Sequence, residues 1–385
     1  MKKSPPVRPD VNPSMLRWAR ERAGASIADL TGRFPKIEAW EDGDASPTLK
    51  QLEAFARAVS VPVGYLFLPR PPDEQVPIPD FRSGRSKRSR PSPNLLDTVY
   101  LCQARQSWYQ EYARSAGEPR KSFVGSATTA TPHEDAAADI GATLGFDVDS
   151  RRKLGSWTEA LRQFIARAEN AGVMVMCSGV VFNNNHRPLD PDEFRGFAIV
   201  DPLAPLVFIN GADSKAAQMF TLAHELAHVW LGQSAVSDAD LQDLSDGDVE
   251  TWCNEVAAEL LVPMDTLVQE LRPEESIDVA LSRLAREFKV SGLVILRRLF
   301  DAGAISRSRF QQEYAAALAS MPARAIAGGG DFYLTQAVRV SRRFAAALVE
   351  STLEGRTLYR DAFRMLGISK LETFRELGRT LHVIA

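Results

Sequence analysis

The chain has few of the residues that most often build metal and redox centres: its 385 residues hold only 5 histidines and 3 cysteines. Cys102, Cys177 and Cys253 are far apart, odd in number and never in a CxxC pair. That excludes a disulfide framework and a thiolate zinc site, and leaves free thiols in a reducing cytosol. No apolar run is long enough to span a bilayer, and the N-terminus MKKSPPVRPDV lacks the apolar core of a secretory signal, so the expected location is the cytoplasm. Charge of one sign is lacking as well. A formal net charge of −3 argues against attachment to nucleic acid by bulk charge, so any such contact must come from a local patch. With 45% apolar and 25% charged residues, this is an ordinary globular composition in a chain long enough for two or three domains.

The chain divides by composition. Residues 1–70 read as short helices, beginning with PSMLRWARERAG, which ends at a glycine, and LKQLEAFARAVSVPVGYLFLP, which sets Leu52, Phe55, Ala56 and Val59 on one face. Residues 71–94 turn to proline, serine and charge and read as a linker, with a basic cluster at Arg82, Arg85, Lys87, Arg88 and Arg90. Residues 95–300 are α+β. Two amphipathic helices, NLLDTVYLCQARQSWYQEYAR and SWTEALRQFIARAENAG, precede three strand-like runs, VMVMCSGVV, FRGFAIVD and PLVFINGA. The last run leads into TLAHELAHVW, then a polar loop, SAVSDADLQDLSDGD, and the helix ETWCNEVAAELLVP. Residues 301–385 read as a helical segment of unknown role, with a glycine hinge at Gly328 to Gly330. Solenoid-type repeats are absent.

TLAHELAHVW is the chemically informative stretch. His224 and His228 are four apart in a helical segment, so both imidazoles leave one face at a spacing that a tetrahedral zinc can bridge, and Glu225 lies beside the first as a general base. The alternative is a surface helix that merely carries the pattern. A catalytic site needs a third protein ligand, and the next helix offers Glu250, Glu255 and Glu259. Glu250 opens that helix after a loop able to reverse the chain and is preferred; Glu259 is the alternative ligand. Asn254 or Asp248 is placed to orient an imidazole. His186 is a candidate transition-state stabiliser, with Arg195 beside it in the reckoning. His133 and His382 have no ligand spacing.

KAAQMFTLAHELAHVWLG followed by VETWCNEVAAELLVP resembles the ImmA/IrrE family of zinc metallopeptidases over about residues 95–300. The family pairs an H-E-x-x-H helix with a second helix of the form E-x-x-A-N-x-F-A-A-E-L-L-x-P; here Cys253 replaces its alanine and Val256 its phenylalanine. The resemblance implies His224, His228 and Glu250 as zinc ligands, Glu225 as general base and a gluzincin-like peptidase domain built on a small sheet. Manganese suits the same donors. MLRWARERAGASIADLTGRF with IEAWEDGDASPTLKQLEAFARAVSVPVGYLF resembles an Xre/Cro-type helix-turn-helix. The stretch GRFPKIEAW is short for the recognition helix, and Pro35 falls inside it. Residues 31–46 are net acidic, Arg33 and Lys36 standing against Glu38, Glu41, Asp42 and Asp44, which favours protein docking or homodimerisation over contact with DNA.

Two functions follow as expectations. One is a zinc-dependent endopeptidase that cleaves a specific regulatory protein, a repressor or a toxin-like partner, in a stress, phage or mobile-element response. The other is a transcriptional regulator or antitoxin-like binding protein with the zinc domain as a non-catalytic platform. The retained Glu225 favours the first, since a structural zinc needs no base.

Overall fold

The computed structural model describes residues 7–80, 91–237, 249–272, 274–319 and 332–384. The basic cluster at Arg82, Arg85, Lys87, Arg88 and Arg90, the Gly328 to Gly330 hinge and Asp248 lie outside the described residues. Contacts divide the chain into two units, one of residues 1–76 and 89–97, the other of residues 77–88 and 98–385. Among the described residues no helix is both long and apolar enough to cross a membrane.

The first unit carries α1 (Pro13–Arg22), α2 (Ile27–Thr31), α3 (Ile37–Asp42), α4 (Leu49–Ala58) and a 3₁₀ turn at Val63–Phe67. The caps are written locally. Ser26 with Asp29 and Thr48 with Gln51 form capping boxes that start α2 and α4 and satisfy orphan backbone N–H groups. Leu16, Ala19, Phe34, Ile37, Trp40, Leu52 and Phe55 make the core, with the Phe34 and Trp40 rings meeting Phe55 edge-on. One buried charge is tied off inside: Arg20 reaches both oxygens of Glu41 at 2.7 and 2.8 Å. The exposed side chains of α3 are Glu38 and Asp42.

The second unit holds most of α5 (Pro93–Ala116), then α6 (His133–Leu144), α7 (Val148–Arg152), α8 (Trp157–Ala171), β1 (Met174–Ser178), β2 (Gly196–Ile199), β3 (Leu206–Asn210) and α9 (Lys215–Leu231). After these come β4 (Ala235–Ser237), α10 (Val249–Leu261), α11 (Met264–Glu270), α12 (Ile277–Phe288), α13 (Gly292–Asp301) and α14 (Arg307–Ala319). The chain closes with α15 (Phe332–Val340), α16 (Arg342–Leu353), α17 (Tyr359–Leu366) and α18 (Leu371–Thr380). The expected α+β class holds, as a helix-rich body around one small sheet.

The sheet order is β1-β3-β2-β4, with β1 parallel to β3 and the other pairings antiparallel. Side chains alternate between its faces. Val175, Ala198, Val207 and Ile209 join the core shared with α6, α8, α9, α10 and α13. On the other face Phe197 and Phe208 stack at 4.9 Å, and Met176 meets Cys102 and Arg105 of α5. β4 was not legible in the sequence, where its residues read as the start of a polar loop. A strand of three residues has no period to detect, and its place is set by pairing with β2.

α13 is buried from Leu293 to Leu299, so the helix-turn-helix cadence of VALSRLAREFKVSGLVILRRLFDAG builds core. At the end of α10, Arg298 Nε donates to the Val262 carbonyl at 3.0 Å and the buried Arg151 donates to the Leu261 carbonyl, so two cations close the carbonyl end of that helix. The C-terminal helices pack on β1 and α5: the buried Phe344 ring meets Trp108 edge-on at 5.5 Å, and Arg105 donates twice to the Met365 carbonyl at 2.8 and 3.0 Å.

Glu169 on α8 is buried and accepts from the Ser341 hydroxyl and the Arg343 N–H. Burial pushes its carboxyl up to about 7 against those hydrogen bonds. The folded state therefore favours the protonated form, and this group's contribution is fully present below the ordinary carboxylate pKa and is lost as pH rises towards 7. Glu169→Gln should remove up to about 3 kcal/mol of that decline, seen as a flatter urea-unfolding stability between pH 4.5 and 7.5 than the wild type gives.

Candidate metal centre

α9 is buried without interruption from Gln218 to Leu231, which excludes the surface-helix alternative: a helix apolar on all sides belongs in a core. Ser214 caps its start by accepting the Ala217 N–H at 3.2 Å, and Gly232 ends it in the left-handed conformation at φ 73°. The last carbonyls are satisfied from the loop before α6, the Gly125 and Ala127 N–H groups donating to Val229 and Trp230. Trp230, stacked on Phe123 at 4.5 Å, donates its indole N–H to Asp139.

On this helix His224 and His228 are one turn apart and fully buried, with Nε2 atoms 3.2 Å from each other. α10 packs beside α9 and brings Glu250, in its first turn, across the gap. Glu250 Oε2 lies 3.2 Å from His224 Nε2 and Oε1 lies 3.1 Å from His228 Nε2. One turn further along α10, Asn254 Oδ1 accepts from His224 Nδ1 at 2.9 Å. That bond places the ring proton on Nδ1, so the neutral His224 presents a lone pair from Nε2.

The donor set fits a metal ion. Two imidazole nitrogens and a carboxylate, within 4.8 Å of one another, are the hard and borderline donors that zinc takes in three-ligand sites. Burial would push His224 down, but the Glu250 hydrogen bond and charge outweigh it and His224 is raised; His228, buried and facing His224, is lowered. Burial would push Glu250 up, but the hydrogen bonds and charges of the two histidines together hold it down at about 2. Glu250 thus keeps a negative charge beside the two Nε2 atoms.

Glu225 is fully buried on the next position of α9. Its Oε1 accepts from the Ser237 hydroxyl on β4, while Oε2 has no hydrogen-bond partner among the described residues. Burial pushes its carboxyl up to about 8, against the pull of His224, which lets it exchange a proton near neutral pH. The carboxylate rests on Gly196 of β2, which pairs with Ser237 on one side and Ile209 on the other. A Cβ there would lie 2.6 Å from Thr221 Cγ2, 2.8 Å from Glu225 Oε1 and 2.9 Å from the Phe208 carbonyl oxygen, so only glycine fits. Sequence reasoning missed Ser237 and Gly196. An isolated glycine inside the strand pattern FRGFAIV was the available signal for a close approach.

The other expected residues are not brought to this cluster. Glu259 pairs with Arg298 and accepts the Met264 N–H at 3.1 Å, the tertiary contacts of α10 having turned it away from the histidines. Glu255 is half exposed, 3.8 Å from His133. His186 is an exposed loop residue whose backbone N–H donates to Asn184. The Arg195 guanidinium is 3.9 Å from Asp213, though its backbone pairs with Ser237 at the edge of the site. His382 is exposed near the end of the chain.

A buried helix delivers His, Glu and His, a second helix supplies a glutamate, and the sheet lies behind them, so that the cluster is of metal-ligand type. Residues 168–300 match the family described as the IrrE N-terminal-like domain. Residues 340–380 match a domain of unknown function. The radiation response metalloprotease IrrE of Deinococcus radiodurans is 34% identical over 107 residues, covering 26% of this chain and 32% of that protein. The radiation response metalloprotease IrrE of Deinococcus deserti is 35% identical over 106 residues, covering 26% of this chain and 38% of that protein. The chain thus spans about a third of the length of the curated relatives it matches.

Metal content should be about one zinc per chain in wild type purified without added metal. His224→Ala and Glu250→Ala should lose it, and Asn254→Leu should weaken affinity by about 10–100-fold by freeing the His224 ring. Mass spectrometry on folded proteins checks all three; equal zinc in wild type and Glu250→Ala would remove Glu250 from the ligand set.

Proposed function

We propose that this chain is a zinc-dependent endopeptidase that cleaves a specific regulatory protein, a repressor or toxin-like partner, in a stress, phage or mobile-element response. His224, His228 and Glu250 are the ligands in this reading, and manganese suits the same set. The observation that carries it is Glu225: a buried carboxylate with one oxygen fixed by Ser237 and the other without a partner among the described residues, beside a cluster of metal-ligand type. A structural site has no use for such a group.

A bound zinc ion supplies Lewis acidity there, polarising a carbonyl and making water acidic near neutral pH. The protein does the rest. Glu225 Oε2 takes the proton from the attacking water and hands it to the leaving amine, while Ser237 holds Oε1 and the Gly196 backbone sets the depth of the carboxylate. Asn254 keeps the His224 ring in the liganding tautomer.

β4 is the terminal strand of the sheet beside Glu225, and its outer edge is paired by the chain's own backbone: the Val236 N–H donates to the Pro79 carbonyl at 2.9 Å, with Asp80 bridged in parallel. The N-terminal helical unit is read as a protein-docking or dimerising element, because the exposed residues of α3 are acidic where a helix facing phosphates would be neutral or basic.

Glu225→Gln is the test. It should keep zinc and partner binding but lower cleavage by about 10²–10⁴-fold, so that an intact partner accumulates and co-purifies. Unchanged partner loss in this variant would sink the enzyme reading in favour of the binding protein. Gly196→Ala should also keep zinc while losing cleavage at least tenfold, because the added methyl displaces the Glu225 carboxylate; the ratio of zinc content to turnover, measured on one preparation, separates this from loss of the site.

A further inference from the structure

On the side of Glu225 the sheet ends at β4, whose Ser237 hydroxyl holds the Oε1 atom of that carboxylate. Ala235, Val236 and Ser237 pair with β2 on the inner side. On the outer side the buried Val236 gives its N–H to the Pro79 carbonyl at 2.9 Å, and Asp80 bridges Val236 in parallel. The residue that carries this bond is the immediate neighbour of the one that fixes the carboxylate.

The covering segment is suited to occupy an edge and poorly suited to hold it. Along PIPD the side chains alternate, Pro77 and Pro79 exposed, Ile78 and Asp80 half-buried, which is the period of a strand. Pro79 has no N–H, so the pairing stops at its carbonyl and cannot continue towards the N-terminus. Pro77 repeats the defect two residues earlier. A strand with any other residue at the place of Pro79 has a donor there that the linker lacks, and it holds the edge more firmly.

The position of this segment in the chain also differs from that of a permanent edge strand. Residues 77–88 group with the second unit, whereas the residues flanking them in sequence, up to 76 and from 89, group with the first. Both flanks of the covering loop are thus anchored elsewhere, and a change in the first unit reaches β4 through the covalent chain.

We propose that Pro79 and Asp80 occupy the strand position that an extended peptide substrate takes against β4, and that they must leave before a substrate is held beside Glu225. Extended peptides bind by adding a strand to a sheet edge, with main-chain hydrogen bonds as the source of affinity. The Val236 N–H is a donor that such a strand needs, and the linker consumes it. The use of this edge by a substrate rests on the peptidase reading above; the cover itself rests on the pairing alone.

Two variants of the full chain that move the cover in opposite directions test this, in a Glu225→Gln background with fluorescein-labelled denatured casein as the extended probe. Ile78→Gly/Asp80→Gly keeps both prolines, removes the two half-buried side chains and loosens the segment. Pro79→Val supplies the missing donor and tightens it. Hydrogen exchange at the Val236 amide should be about tenfold faster in the first variant and slower in the second, the scale of one backbone hydrogen bond. Casein should bind about tenfold more tightly to the first and more weakly to the second, read by fluorescence anisotropy. Exchange that shifts while casein affinity stays constant overturns the proposal and leaves a cover that only blunts an edge. Exchange unchanged in both variants overturns it too. Tighter casein binding with no cleavage once Glu225 is restored and zinc supplied removes the peptidase reading and leaves the displaceable cover standing.

Discussion

The second unit is organised around one constraint: a helix that is buried on all sides carries two histidines and a glutamate in its middle. Polar groups taken out of water must find partners or lose several kcal/mol each. Three neighbours of α9 answer that demand. α10 brings Glu250 and Asn254 to the imidazoles, and β4 brings Ser237 to Glu225. β2 omits a side chain at Gly196 so that the carboxylate can lie against its backbone. The sheet, small as it is, exists at the place where Glu225 needs a floor and a hydrogen-bond donor.

How much of this could be read in advance follows the range of the interactions. His224, Glu225 and His228 are set by helical period alone, a local property that survives in the sequence. Glu250 was legible at one remove, since a turn between two helices makes an antiparallel partner natural. Ser237 depends on strand register, which pairs it with Gly196 some forty positions away and leaves no local mark on it, whereas Gly196 left only an isolated glycine in a strand pattern. Glu259 was a reasonable competitor by spacing, and what separates it from Glu250 is the tertiary placement of Arg298 on α13.

The two faces of the sheet differ in the polar groups they bury. Towards α9 lie the imidazoles and carboxylates; on the other face the Arg105 guanidinium is held by the Met365 carbonyl. The apolar residues between them, Phe197 and Phe208 on one side and Val207 and Ile209 on the other, form an insulating layer. In such a low-dielectric layer charges are weakly screened, and each face requires its own compensation.

The end of α10 gives this architecture a mechanical character. Arg151 and Arg298 pin the carbonyl end of the helix, whereas Glu250 sits at the other end. The helix is thus a lever of about 20 Å with its fulcrum at the arginines, and a tilt of a few degrees there translates the carboxylate by about 1 Å. A displacement of that size is enough to spoil a coordination geometry. Residues that never touch the cluster therefore share control of it, and drift at the fulcrum would be felt first as a loosened ligand.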